Sequence, residues 1–111
     1  TMFDPIEVEQ WIIALERSGM NFPYISSLKS MIGHCLSAAG AIESVAVVLE
    51  LVHSFLHPSL NCEDLHPQVS KLIDPDRIPQ QMIETPLNII AKSSFGFGDV
   101  NSCVLFKKYQ E

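Results

Sequence analysis

The sequence predicts an α/β fold in which a long apolar helix packs between layers, and three observations carry that expectation. The stretch 38–52 is apolar except for Ser44 and the charged pair Glu43 and Glu50, as in a buried helix. Two segments near the C-terminus, 87–92 and 102–107, read as strands flanking the glycine-rich turn F-G-F-G-D-V-N at 95–101. A short apolar run at 22–28, F-P-Y-I-S-S-L, reads as a buried strand leading toward the helix.

At 111 residues the chain has the length of one domain, 1–111, able to bury roughly 65% of its unfolded surface. Hydrophobic residues make up 47% and charged residues 18%, below the roughly 25% charged that is usual for soluble domains. This excludes disordered, collagen-like and low-complexity classes and points to a surface that something else covers. The formal charge is −6, and the cations are scattered, which argues against a nucleic-acid partner. Cys35, Cys62 and Cys103 form no C-x-x-C pair and leave one unpaired, as in a reduced, cytoplasmic protein. Glu43 and Glu50 argue against a membrane span. No signal pattern opens the chain, but its first residue is Thr1, so an organellar targeting segment could lie outside it.

In chain order, D-P-I-E predicts a helix capped by Asp4, with Pro5 at its first position and Glu7 completing a box-like pair. That helix is expected to run to about Ser18 and stop at Gly19. After the strand at 22–28, a helix is expected over 35–56, small-sided at first. Gly40, inside it, costs about 1 kcal/mol relative to Ala and implies that another backbone approaches closely. The proline-punctuated segment 57–86 leaves room for a short strand near 59–62 and a short helix near 67–72.

Among chemistry-bearing residues, His34 and Cys35 are a nucleophile-and-base pair by type. Neighbours in sequence point in different directions, so Cys35 reads as a small buried residue. His34, after Gly33 at an expected helix N-terminus, would be neutral and able to donate a hydrogen bond, or simply a capping residue. Lys29 follows the expected strand, where active sites of α/β folds gather. The histidines show no metal-binding spacing, so no metal and no cofactor is expected. F-G-F-G lacks the dinucleotide fingerprint, although its glycines let backbone N–H groups approach a ligand.

K-S-M-I-G-H-C-L-S-A-A-G-A-I-E (29–43) and S-F-G-F-G-D-V-N-S (94–102), in this order, closely resemble the C-terminal part of the β-ketoacyl-acyl carrier protein synthases. D-P-I-E-V-E (4–9) and H-P-S-L-N (57–61) also fit, and the match is weakest over 62–86. The resemblance implies the C-terminal half of a thiolase-like, layered α-β-α fold, incomplete on its own. It also implies an acyltransferase of fatty-acid or polyketide synthesis, which loads an acyl group on a cysteine, decarboxylates malonyl-acyl carrier protein and condenses the two.

Carried over by residue, His34 matches the second catalytic histidine, which hydrogen-bonds the malonyl thioester oxygen. Lys29 matches a lysine that organises the site electrostatically, and Glu43 the buried glutamate of the A-A-G-x-x-E tail. Phe97 matches a gating aromatic whose backbone N–H completes the oxyanion hole, with Gly96 and Gly98 letting that loop move. The nucleophile has no counterpart here, and the other catalytic histidine is expected just before Thr1, so the 111-residue chain alone is expected to be inactive.

Asp99-Val100 stands where Gly-Thr is common, and Lys92-Ser93 replaces a Ser-Asn type pair. In some members that segment and the glutamate help bind a monovalent cation. Lys92 is expected to substitute for that cation and pair with Glu43, the alternative being a solvated strand lysine. The implied partners are acyl carrier protein bearing acyl and malonyl groups, the N-terminal half of the same synthase, and a second copy in a homodimer. The rival reading is a noncatalytic subunit of the chain-length-factor kind.

Overall fold

The computed structural model describes residues 2–110. Helix α1 spans Asp4–Leu15, with Pro5 in its first turn and Asp4 and Glu7 placed favourably against the helix dipole. Its N-cap is Phe3, so Asp4 lies inside the helix rather than capping it. The Glu7 carboxylate, expected to close a capping box, accepts the Ser93 hydroxyl at 2.6 Å instead. The helix stops at Glu16, in the left-handed region (φ 54), short of the expected Ser18–Gly19 end. Gly19 (φ 57) bridges to the chain ahead of it, its N–H donating to the Leu72 carbonyl at 3.3 Å. The early stop turns the chain so that Phe22 reaches the core, where it is 2% exposed.

The segment 22–28 is irregular and not a strand. Its backbone groups are satisfied singly: the Ile25 N–H donates to the Arg77 carbonyl at 2.8 Å, and the Ser27 N–H to Ser59 Oγ at 3.0 Å. Pro23 supplies no donor, and no described strand lies alongside to form a ladder. Arg77 also places its guanidinium 4.8 Å over the Tyr24 ring.

The expected helix over 35–56 forms only over 39–53, and a separate turn of helix stands ahead of it. A single turn, α2 (Lys29–Ile32), ends at Gly33 (φ 73). A 3-10 turn, Leu36–Ala38, leads into α3, Ala39–His53. Leu36 (φ 51) and the Ser54 cap of α3 (φ 57) are both left-handed, so the chain bends on either side of the helix. Close backbone approach to Gly40 is not what occurs. A Cβ there would meet the Lys92 Nζ at 4.0 Å, an ordinary contact.

After α3 come β1 (Phe55–Leu56), helix α4 (Pro67–Leu72), a 3-10 turn at Pro75–Arg77, and β2 (Ile83–Glu84). Strand β1 pairs antiparallel with β2, and the expected strand near 59–62 is absent. The helix at 67–72 forms where the sequence places it. His66 Nδ1 accepts the Gln68 N–H at 3.2 Å and Pro67 opens the first turn. Strands β3 (Ile89–Gly96) and β4 (Val100–Lys107) form a long antiparallel hairpin. Their pairing runs through most of F-G-F-G-D-V-N and leaves Phe97, Gly98 (φ 77) and Asp99 (φ 60) as the turn.

The core lies between α1, α4 and the irregular segment. Val8, Phe22, Val69 and Ile73 are buried together, with Trp11, Ile12, Ile25, Leu72 and Ile78 packed around them. Val47 and Leu51 of α3 and Leu56 of β1 are also buried. Within this chain α3 is not sandwiched. Val45 and Val52 are each 60% exposed, and Phe95, Val100 and Leu105 of the hairpin are open as well. The stretch Leu36–His53 is long and apolar enough to cross a membrane by length and composition. Its two glutamates, however, are engaged inside the fold, Glu43 by Lys29 and Lys92 and Glu50 by hydrogen bonds from His57.

Candidate active site

Three elements converge on one carboxylate. Lys29 opens α2, Glu43 lies in the first half of α3, and Lys92 lies within β3. Glu43 Oε1 accepts the Lys29 ammonium, while Oε2 lies 3.0 Å from the Lys92 Nζ. Lys92 is 9% exposed and Glu43 14%, against 40% for Lys29. Lys92 also donates to Ser94 Oγ at 2.6 Å, so β3 is tied to α3 just before the F-G-F-G turn. Burial works to raise the pKa of Glu43. Hydrogen bonds from Lys29 and Lys92, and the charges of both, outweigh it and hold the carboxyl below the ordinary carboxylate range. With two ammoniums on one carboxylate, the cluster carries an excess positive charge.

His34 stands outside this cluster. It lies in the loop between α2 and the 3-10 turn rather than at the N-terminus of an α-helix, and it is exposed. Its Nδ1 accepts the Leu36 N–H at 2.9 Å. A nitrogen that accepts cannot carry the proton, so in the neutral ring the proton sits on Nε2, available as a donor. Phe97 is fully exposed at the hairpin tip. On its flanks, a Cβ at Gly96 would come within 3.2 Å of the Val100 carbonyl oxygen, and Gly98 takes a backbone conformation that other residues rarely adopt.

Cys35 and Cys62 are half-buried and Cys103 is exposed, all with free thiols. Among the described residues no group of three or more His, Cys, Asp or Glu side chains could hold a metal ion.

Sequence reasoning missed a second buried group on α3. Glu50 is 2% exposed and accepts both the His57 backbone N–H at 2.9 Å and the His57 ring Nδ1–H. His57 Nε2 faces Ser26 Oγ at 3.2 Å. The available signal was the seven-residue spacing of Glu43 and Glu50, close to two helical turns, which puts both on one face.

Residues 1–63 match the family model described as β-ketoacyl synthase, C-terminal domain. The chain is 38% identical over 86 residues to the chloroplastic 3-oxoacyl-[acyl-carrier-protein] synthase I of Arabidopsis thaliana, covering 78% of this chain and 17% of that one. It is 35% identical over 108 residues to 3-oxoacyl-[acyl-carrier-protein] synthase 2 of Vibrio harveyi, covering 97% and 25%. Among solved structures, it matches a chain of the AntDE:AntF complex, a type II PKS acyl-carrier protein with its ketosynthase bound to the hexaketide. That match has a TM-score of 0.71 at 38% identity and covers 82% of this chain and 21% of the other.

Helices, strands and motifs are thus arranged as in part of a thiolase-like α/β ketosynthase. The chain belongs to the β-ketoacyl synthase C-terminal domain family. It spans about a quarter or less of the length of these relatives.

Proposed function

We propose that this chain is the C-terminal part, 1–111, of a β-ketoacyl-acyl carrier protein synthase and supplies its malonyl-decarboxylating and gating elements. The observation that carries this reading is the double grip of Glu43 on Lys29 and Lys92. Each lysine lies five residues before a candidate functional residue, Lys29 before His34 and Lys92 before Phe97. One carboxylate therefore holds the roots of both segments. In this reading the His34 Nε2–H donates to the malonyl thioester oxygen, where negative charge develops as carbon dioxide leaves. The Phe97 backbone N–H stabilises the oxyanion of the acyl-transfer step, while Gly96 and Gly98 let the hairpin tip adjust.

The nucleophilic cysteine and the other histidine come from the N-terminal half, which also covers the apolar faces of α3 and of the hairpin. Acyl carrier protein delivers both substrates, chiefly to cations of that half, and the assembled synthase is a homodimer. The test is incubation of the full-length protein with acyl- and malonyl-acyl carrier protein. β-Ketoacyl product and carbon dioxide are expected from the full-length protein and none from residues 1–111 alone. Product that appears only when a second ketosynthase subunit is added would replace this reading with a noncatalytic, chain-length-factor-like role.

Lys92 acts here as a built-in monovalent cation, its ammonium compensating the buried Glu43 carboxylate. The turnover of the synthase is then expected to be indifferent to potassium and sodium. Lys92→Met is expected to lose about tenfold in rate in choline buffer, equivalent to about 1.4 kcal/mol, and to regain it with added potassium or sodium. A Met variant whose residual rate ignores both ions refutes the substitution.

A further inference from the structure

The Glu50–His57–Ser26 chain lies outside the candidate site, yet it is tied to it through one face of α3. Glu43 holds the Lys29 side chain, and Glu50, two turns on, holds His57. His57 reaches Ser26, three residues before Lys29. Around this contact the segments 26–30 and 57–60 are joined by side chains rather than by a strand ladder. The Ser27 N–H donates to the Oγ of Ser59, a residue 4% exposed. The Leu60 N–H donates to Ser30 Oγ at 2.9 Å, and the Ser30 hydroxyl donates to the Ser27 carbonyl at 2.8 Å. With no ladder to set its register, the approach to Lys29 and the α2 turn is set by these few bonds.

We infer that His57 is a positioning residue: it transmits the fixed position of the buried Glu50 to Ser26 and so sets where Lys29 and the following His34 segment stand. This inference rests on the proposed synthase function. The order acid, histidine, serine is also that of a hydrolytic triad. In that use the adjacent Ser27 N–H would not serve as an oxyanion donor, because it is already bound by Ser59.

The two ring nitrogens can be tested separately in the full-length synthase. His57→Asn keeps a donor near the Nδ1 position for Glu50 but loses the link to Ser26. His57→Gln keeps a polar atom near the Nε2 position for Ser26. We expect His57→Asn and Ser26→Ala each to lower kcat about tenfold, the effect of one lost hydrogen bond. The KM for malonyl-acyl carrier protein and the Tm should stay near the parent values, and the double variant should be no slower than either single one. His57→Gln, whose backbone N–H still donates to Glu50, is expected to restore kcat to within about twofold of the parent.

Hydrogen exchange of 26–34 should rise in His57→Asn and Ser26→Ala, without change in α3. Parent-like kcat and exchange in both variants would overturn the inference, as would additive losses or labelling of Ser26 by a fluorophosphonate. A parent protein with no condensing activity refutes the functional reading instead, and the exchange measurement still decides the tether.

Discussion

Replacing Glu43 with Ala in the full-length synthase is expected to cost about 3–5 kcal/mol of stability, read as a lowered midpoint in urea. The cause is the pair of ammoniums left behind. Lys29, 40% exposed, can turn to solvent, but Lys92, 9% exposed, stays desolvated beside Ser94. Glu43→Gln keeps the volume and removes the charge, so an intermediate loss is expected. A loss in Glu43→Ala below about 1 kcal/mol, the range of a surface pair, would show that the cluster is solvated.

The pH dependence has a defined sign. Burial opposes ionisation of Glu43, but the hydrogen bonds and charges of Lys29 and Lys92 hold its folded pKa below the unfolded value. Its contribution is therefore full above about pH 4.3, the ordinary glutamate value, and is lost as pH falls through the folded pKa. The urea midpoint of the parent should fall in that acidic window, and Glu43→Gln should flatten the fall.

The parts of the fold that were legible are those whose partners lie close by in sequence. His66-Pro67 announces α4 because cap and first turn are contiguous, and the hairpin is announced by two apolar runs around a glycine turn. The segment 22–28 was misread because apolarity reports burial and not where backbone donors go. Its partners, the Arg77 carbonyl and Ser59 Oγ, are distant in sequence. The start of α3 was misplaced because nothing in the local pattern marks Leu36 as left-handed.

At the site, the substitution at Lys92 in a resembling motif pointed to Glu43, and the two do pair. That Lys29 shares the same carboxylate is a long-range fact the sequence did not display. Nor did it display the Glu50–His57–Ser26 chain, whose members look like an unrelated helix glutamate, a loop histidine and a loop serine. The uncovered apolar face of α3 was legible as low charge.

His34→Ala is expected to slow malonyl decarboxylation by the full-length synthase about 10²–10³-fold, the cost of removing one donor aimed at a developing oxyanion. The structure gives reasons to expect the loss in rate and not in fold. His34 is exposed, and its one hydrogen bond among the described residues is local, so a stability change within about 0.5 kcal/mol is expected. That bond runs from the Leu36 N–H, and Leu36 is held left-handed (φ 51), a conformation that costs a β-carbon residue about 1–2 kcal/mol.

Two conservative variants separate the roles of the ring nitrogens. His34→Asn can still accept the Leu36 N–H but presents no donor at the Nε2 position, so it should be nearly as slow as Ala. His34→Gln can place an amide N–H near that position and should recover part of the rate. Carbon dioxide release, followed with acyl loading on the cysteine measured separately, is the discriminating assay, because loading should survive all three substitutions. Decarboxylation within about threefold of the parent in His34→Ala, about 0.7 kcal/mol, would remove His34 from the oxyanion and leave it a loop-shaping residue.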